Sequence, residues 1–484
     1  MNATAGNGLG WLGIARLGLV QTALGAIVVL TTSTMNRVMV VELALPAMLP
    51  GALVALHYAV QMLRPRLGYG SDVGGRRTPW IIGGMALLAI GGIGASVATA
   101  LMGSNLGFGI ALAVLSFLII GVGVGAAGTS LLTLLAKQVA PERRGAAATI
   151  VWMMMIFGFI ITAATVGHFL DPFTPMRLVA LTSCVSVIAF MLTLVAVRGV
   201  ERRPEAAVAS ATAAATGAAN AAAAPVFKAA LAEVWADPKA RRFTVFVFIS
   251  MLAFSAQDLI LEPFAGMVFG YTPGESTKLA GIQNGGVLLG MLLVAVATTL
   301  GRRGRRFGSL AAWTVGGCIS SAIALALLVV GGHVGGDWPL KPTVFFLGAS
   351  NGAFAVAAIG SMMALAGDGP PSREGIRMGL WGASQAIAFG AGGFVGAVLS
   401  DLIRALSGSV VTGYTTVFAI EAALFIVAAV LAARIGMAAS VAAAAARDSA
   451  NRGSTTDGKG FGGGLEGGLE VAIEGRLAPG LNGR

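Results

Sequence analysis

The chain has 484 residues, of which 56% are hydrophobic and only 11% are charged, and its mean hydropathy is +0.84. These values lie far outside the range of soluble proteins, so they exclude a soluble globular fold. The formal net charge of +11 would suit a nucleic-acid-binding protein, but the distribution of the basic residues along the chain argues against that function.

Twelve apolar stretches are long enough to cross a membrane, because a spanning helix needs about 20 mostly apolar residues. The first stretch is too long for a cleavable leader and lacks a small-residue cleavage site, so we expect it to be an uncleaved signal anchor. The pattern predicts an all-α membrane protein with twelve transmembrane helices. The stretches lie at 14–36, 46–67, 79–102, 107–135, 145–169, 176–197, 243–268, 279–300, 307–331, 342–366, 376–400 and 411–435.

A short glycine-rich turn joins the second and third stretches. Its Asp72 can accept hydrogen bonds from a neighbouring helix N-terminus, while Arg76 and Arg77 stay in the aqueous phase. With Gly68 and Gly75 in register, the turn resembles the loop motif of the major facilitator superfamily. That resemblance implies two pseudo-symmetric bundles of six helices.

The basic residues mark the membrane topology. Most of them lie in the loops that follow spans 2, 4, 6, 8 and 10. Because cytoplasmic loops collect Lys and Arg, these loops and both termini are predicted to be cytoplasmic. The excess positive charge then reflects topology and attraction to anionic lipid, so we expect no nucleic-acid partner. The basic residues on the opposite side are Arg37, Arg177, Lys278, Lys341 and Arg404.

The chain is predicted to divide into an N-terminal six-helix bundle at 1–197 and a C-terminal one at 243–435. The Ala-rich stretch between them, 198–242, has the composition of a cytoplasmic linker that ends in a surface helix. Residues 436–484 are rich in Ala and Gly and carry mixed charge, so they are predicted to form a disordered cytoplasmic tail.

The two predicted halves repeat a motif. A Pro-x-Arg-x-Gly string enters the fifth span with Arg143 and Gly145, and the same string enters the eleventh span with Arg373 and Gly375. Parallel repeats related by an axis along the membrane normal are expected from this pattern. Runs of small residues in the fourth and eleventh spans are expected to let neighbouring helices approach closely.

Charged residues at membrane depth are costly and therefore point to function. Arg37 and Glu42 lie at the end of span one, and Asp258 and Glu262 share a helical face of span seven. Since these segments are equivalent in the repeat, we hypothesise an ion pair between Arg37 and one of the span-seven carboxylates that acts as a gate. The alternative is that Arg37 and Glu42 lie in the aqueous loop after span one.

His57, in the middle of span two, is the second candidate site. A buried imidazole can relay protons, bond a neighbouring helix or ligate a metal, and Gln61 lies one turn further along the same face. A packing histidine bonded across helices is the alternative interpretation. Asp171, Gln283 and Asn284 lie near span ends and are expected to be caps or interfacial residues. The sequence shows no nucleotide or metal motif, so no enzyme is predicted.

Three longer segments resemble one family. They are Asn36–Ala47, Leu56–Tyr58 leading into Arg64–Asp72, and Ser255–Phe264 with the following Thr272–Thr277. Together they look like the PucC/LhaA family of phototrophic bacteria, a branch of the major facilitator superfamily.

The resemblance covers roughly residues 10–435 and implies a role in assembling light-harvesting antenna complexes in the photosynthetic membrane. It implies bacteriochlorophyll as cargo or bound pigment, and antenna α and β polypeptides as partners, with the core antenna (LH1) slightly favoured over the peripheral antenna (LH2). Pigment-synthesis enzymes and the reaction centre are further expected partners. His57 is then a candidate ligand of the chlorin magnesium.

A different function fits the same composition. A proton-coupled secondary transporter of a small amphiphile would also need a helix bundle with few charges, and Asp258, Glu262 or His57 would be its protonation site.

Overall fold

The structure is a computed structural model that describes residues 9–63, 76–140, 143–201, 235–300, 308–367 and 374–456. Within these ranges all regular secondary structure is helical. In the described part of the chain, eleven helices are long and apolar enough to cross a membrane, and Met48–Val60 is a shorter apolar helix. The predicted all-α membrane protein with twelve apolar helices is therefore confirmed. The helices are α1 Trp11–Glu42, α2 Met48–Val60, α3 Thr78–Met102, α4 Leu106–Gln138, α5 Arg144–Phe169, α6 Pro175–Val197, α7 Pro238–Phe269, α8 Pro273–Leu300, α9 Leu310–Val334, α10 Leu340–Gly367, α11 Glu374–Ser407 and α12 Val410–Thr456.

Local chemistry explains where several helices begin and end. The side chains of Asn105, Thr174 and Ser309 each accept a hydrogen bond from a backbone N–H in the first turn of α4, α6 and α9, at 3.1 Å in each case. Gly270 ends α7 with a φ of 70°, a left-handed conformation that glycine adopts without steric cost.

The first helix is irregular near its end. Two π-helical turns, Leu30–Thr34 and Val38–Glu42, interrupt α1 on either side of Arg37. The wider π-helical turn pairs residues five apart and is frequent at functional sites. Beyond it, Ala44 has a positive φ of 51° in the turn that leads to α2.

The helices form two halves with separate apolar cores. One core comes from α1–α6 together with Leu259, and the other comes from α7–α12. The main helix pairs between the halves are α5 with α8 and α2 with α11. If α1–α6 are superposed in order on α7–α12, α2 falls on α8 and α5 falls on α11, so each of the two pairs maps onto the other. This is the relation expected of a parallel repeat.

Small residues allow close helix packing between α8 and α10. Gly286 and Gly290 are four residues apart on α8, and Gly348 and Gly352 are four residues apart on α10. A Cβ atom added at Gly286 would lie 2.8 Å from the backbone nitrogen of Ala349. Each glycine therefore removes a clash with the backbone of the other helix, as in other close membrane helix pairs.

Two predicted segments differ from the structure or fall partly outside it. α12 continues to Thr456, so the predicted disordered tail begins as helix. The compact units are Met1–Ile435 and Gly436–Arg484. Residues 202–234, which include most of the predicted linker and its surface helix, lie outside the described ranges. The bundle and linker boundaries, and the cytoplasmic position of both termini, stay predictions.

Candidate functional site

A cavity of about 410 Å³ lies between the two halves. Residues of α1, α2 and α5 line it from the first half, and residues of α7, α8, α10 and α11 line it from the second. Its size lies within the range of small-molecule sites, which typically measure about 300–1,000 Å³. It is the natural candidate site because helices of both halves meet there.

Aromatic and sulfur-containing side chains make up much of the cavity wall. The ring centroids of Tyr58 on α2 and Phe389 on α11 are 6.0 Å apart across the junction of the halves. The centroid of Phe389 also lies 5.7 Å from that of Phe254 on α7. Trp152 and Met155 line the wall on α5. Such a wall offers a flat apolar ligand large contact surfaces and ring faces on which to stack.

Polar groups at the cavity are mostly uncharged. Gln61, Gln283, Asn284 and Gln385 present amide groups, and Asp258 is the carboxylate among the described lining residues. Its side chain is exposed to the cavity. Gln283 and Asn284, which were expected to be caps or interfacial residues, belong instead to this wall. That interpretation was wrong because it considered where the two residues lie along α8 and not the direction in which their side chains point.

His57 lies behind the cavity wall. It is buried, and its Nε2 is hydrogen-bonded to Nε2 of Gln61 at 2.8 Å. The His57 ring also packs against Tyr58, with centroids 4.6 Å apart. Gln61 and Tyr58 face the cavity, whereas His57 orients them from behind. Nε2, one of the two ring nitrogens that could ligate a magnesium, is thus already engaged with Gln61 in this arrangement.

The hydrogen bonds that join the two halves within the described ranges lie at one end of the cavity, and we call their residues the latch. The latch pairs among the described residues are Ser33–Glu262, Thr34–Thr277, Asn36–Leu259, Arg37–Ser276, Arg37–Tyr271, Met48–Asp401, Asp171–Thr272 and Asp171–Gly274. On α1 the cavity residues 28–33 precede the latch residues 33–37, and on α8 the latch residues 276–277 precede the cavity residues 280–291. The latch therefore closes the end where the α1–α2 and α7–α8 loops lie.

Arg37 is the central cation of the latch and is almost fully buried, with 2% of its side chain exposed. Its Nη2 donates to the backbone oxygen of Tyr271 at 2.6 Å, and its Nε donates to Oγ of Ser276 at 3.4 Å. Its ion pair is with Glu42, within the first half. Because Arg37 is buried, it does not lie in an aqueous loop.

The hypothesised ion pair across the halves, between Arg37 and Asp258 or Glu262, is replaced by other contacts in this conformation. Among the described residues Glu262 accepts a hydrogen bond from the hydroxyl of Ser33, and Asp258 faces the cavity. Asp171, another residue expected to be a cap, accepts from Thr272 Oγ1 at 2.7 Å and from the Gly274 N–H at 3.0 Å. The link between the halves therefore exists, but it is built from different pairs.

Another anchor holds the start of α3, next to the predicted superfamily turn. Glu201 accepts the backbone N–H groups of Arg77 and Thr78 at 2.7 and 2.9 Å. Burial opposes the charged form of Glu201, but these donors outweigh it and hold its pKa below its usual value. Gly68, Asp72 and Gly75 of the turn lie outside the described residues, and Arg76 is exposed.

The repeated motif before α5 and α11 is described only in part. Arg143 directly precedes α5, and its guanidinium carbon lies 5.7 Å from the centroid of the Trp11 ring, while Gly145 lies in the first turn of α5. Gly375 lies in the first turn of α11. Arg373 lies outside the described residues.

Comparisons with known proteins agree with this architecture. A D-xylose-proton symporter of known structure matches with a TM-score of 0.65 at 15% sequence identity, over 87% of this chain and 96% of that one. At this identity the likeness shows the fold alone. The predicted major facilitator fold is confirmed, and the protein is a multi-pass membrane protein.

Sequence relatives are closer. The chain is 54% identical over 424 residues to the "Bacteriochlorophyll synthase 44.5 kDa chain" of Rhodobacter capsulatus, covering 88% of this chain and 95% of the relative. It is 31% identical over 445 residues to "Protein PucC" of Rhodobacter capsulatus, covering 87% and 91%. The sequence model of the family described as "PUCC protein" matches residues 34–440. The chain therefore belongs to the PUCC protein family.

Proposed function

We propose that this protein is an assembly factor for light-harvesting antenna complexes, which holds bacteriochlorophyll in the cavity between its halves and delivers it to antenna α and β polypeptides. Its family and the relative named as a bacteriochlorophyll synthase chain support a photosynthetic role. The site of action is the intracytoplasmic photosynthetic membrane. The fold, shared with transporters, supports binding and transfer and not catalysis.

The wall of the cavity is the observation that carries the proposal. A bacteriochlorophyll offers a flat apolar macrocycle, carbonyl groups at its rim and a central magnesium. The rings of Tyr58, Phe254 and Phe389 give the macrocycle faces for stacking. The amide groups of Gln61 and Gln283 can donate to its carbonyl groups or offer oxygen to magnesium, which prefers oxygen ligands.

The closed latch restricts where a ligand can enter and leave the cavity. Because the latch closes one end of the cavity, the pigment would enter and leave through the other end or between helices toward lipid. The long tail of the pigment is apolar and would extend into the lipid phase, where its burial costs nothing. The core antenna is the first client to test, with pigment-synthesis enzymes as donors and the reaction centre as a neighbour of the product.

A gene deletion with complementation tests the proposal. Ala386 lines the cavity and is exposed to it, so Ala386→Trp fills the space with an indole ring. Ala423 is exposed on α12 away from the cavity, and Ala423→Trp is the matched control. The deletion should remove the core or the peripheral antenna band from the membrane absorption spectrum. Ala423→Trp should restore the band and Ala386→Trp should not; an unchanged spectrum in the deletion strain would refute the role.

A proton-coupled transporter of a small amphiphile is the second candidate. The observation that favours it is the Asp258 carboxylate on the cavity wall, in a fold shared with a proton symporter. Proteoliposomes separate the two functions. Bacteriochlorophyll precursors that accumulate only under a pH gradient, with loss of that accumulation in Asp258→Asn, would favour transport over assembly.

A further inference from the structure

The second half contains a layer of buried polar side chains that is separate from the cavity wall. Gln257 of α7, Ser321 of α9 and Asn351 of α10 are fully buried, and Glu421 of α12 is 1% exposed. The hydroxyl of Ser321 donates to Oδ1 of Asn351 at 2.8 Å. Glu421 interrupts an otherwise apolar span, so its position demands a compensating interaction.

Ring contacts place Glu421 and Asn351 on facing turns. Phe354 of α10 and Phe425 of α12 have centroids 5.9 Å apart. Asn351 lies one turn before Phe354, and Glu421 lies one turn before Phe425, so both side chains lie on the same faces as the two rings.

The layer also reaches the cavity. The carboxylate of Glu421 is close enough to that of Asp258 for their charges to interact. Asp258 is exposed to the cavity, and Gln257 is its neighbour in sequence. Asp258 is therefore the carboxylate at the cavity whose charge acts on Glu421.

Most polar atoms of the layer have no partner within the described part of the chain. Both carboxylate oxygens of Glu421, both amide atoms of Gln257 and Nδ2 of Asn351 make no hydrogen bond there. Buried polar groups are normally satisfied, and an ionised carboxylate without a partner is the most costly case. A protonated carboxyl group removes that charge and can both donate and accept, which matches the free oxygen of Gln257 and the free N–H groups of Asn351.

We propose that Glu421 is an internal proton-binding site of this protein, with Asp258 as the group that exchanges its proton with the cavity. In the exchange the O–H bond of Glu421 breaks and an O–H bond forms at Asp258, so the pair keeps one proton and one negative charge. Water in the cavity supplies or accepts the proton when the total changes. Two carboxylates whose charges interact in this way titrate as a coupled pair.

Other titratable groups near the layer are few in the described ranges. Cys318 lies one turn before Ser321 on α9, and Tyr414 lies two turns before Glu421 on α12; both are buried. Glu262, one turn after Asp258, is engaged with Ser33 in the latch. Asp258 supplies the charge that acts on Glu421. A cavity occupant that covers or neutralises Asp258 therefore changes how readily Glu421 gives up its proton. This link between the cavity and a buried proton goes beyond the proposed function.

Infrared difference spectroscopy of the full-length protein in detergent, without pigment, tests the inference. At neutral pH the wild type should show the C=O band of a protonated carboxyl group, and Glu421→Gln should remove it. Glu275→Gln is the control, because Glu275 is exposed at the start of α8. It should leave the band unchanged. A Glu421→Gln spectrum with the same protonated-carboxyl bands as the wild type would overturn the proposal.

A second variant tests the coupling and keeps the experiment decisive if Glu421→Gln does not fold. Asp258→Asn removes a negative charge that, in addition to burial, favours the protonated form of Glu421. The pH at which the band disappears should then be lower than in the wild type. An unchanged midpoint would overturn the exchange with the cavity, whether or not the pigment proposal is correct.

Discussion

The substitution Arg37→Met should weaken the closed latch. The substitution keeps an apolar stem of similar length and removes the guanidinium group. The ion pair with Glu42 lies within the first half, so it makes no direct contact between the halves. The bond to Ser276, at 3.4 Å, is long and contributes little.

The short hydrogen bond of Arg37 to the second half is the charge-assisted one to the backbone oxygen of Tyr271 at 2.6 Å. Hydrogen bonds to charged groups contribute about 1.5–3 kcal/mol when buried, so we expect the closed latch to lose about 2 kcal/mol. This free energy corresponds to an increase of about 30-fold in the open population.

Cysteine labelling measures that population. Thr34→Cys introduces a thiol at a latch position that is 1% exposed, and Cys184→Ala removes the exposed native thiol, while Cys318 is fully buried. The reaction rate with a membrane-impermeant maleimide should rise about 30-fold when Arg37→Met is added, because labelling requires the latch to open.

The matched control is Arg16→Met. Arg16 donates to the backbone oxygens of Val195 and Arg198, so its hydrogen bonds stay within the first half. Its loss should leave the labelling rate of the cysteine at position 34 unchanged. Equal labelling in the Arg37→Met protein and its parent, with the fold intact, would show that Arg37 does not hold the halves together.

Two further predictions concern stability. Gly290→Leu should lower the melting temperature in detergent by several degrees, because the new Cβ would lie 2.8 Å from the backbone nitrogen of Ala353. Gly316 has open space around it, so the control Gly316→Leu should have little effect. Equal melting temperatures of the two variants would refute the close α8–α10 contact. Glu201→Gln should lower the melting temperature at neutral pH. Because the pKa of Glu201 is lowered on folding, its stabilising effect is complete above the usual value of 4.5 and should disappear as the pH falls below it; a difference that persists in acid would contradict this.

Much of the fold could be predicted because the membrane fixes the length and polarity of each helix. The apolar stretches predicted twelve spans, and among its described residues the structure has eleven long helices and the shorter α2 at the predicted places. The repeated motif also predicted the repeat whose helix pairs meet between the halves. The length of an apolar stretch does not predict which helices contact each other, because a helix face needs apolar side chains both against lipid and against another helix. The α8–α10 glycines were recognisable only once the two backbones were seen together.

The partner of Arg37 could not be predicted for a specific geometric reason. Residues five apart point to different faces of an α-helix, where neighbours lie three or four residues apart. The π-helical turn Val38–Glu42 widens α1 and brings Arg37 and Glu42 onto one side. The sequence showed that Arg37 was costly in the membrane, and the structure shows what compensates it.

Other residues of the site carried a weaker signal. Gln283 and Asn284 were interpreted from their place near a span end, which says nothing about the direction of their side chains. Glu421 was missed, although a lone carboxylate within an apolar span is itself a signal. His57 was recognised as unusual, but Gln61, to which it is hydrogen-bonded, is the one of the two that lines the cavity.

The amount of bacteriochlorophyll that binds the purified protein tests the central claim most directly. Pigment titrated into detergent-solubilised protein should bind with a shifted absorption band, and Ala386→Trp should weaken that binding at least tenfold while Ala423→Trp leaves it unchanged. Equal binding by both variants would place the pigment outside the cavity between the halves and contradict the account.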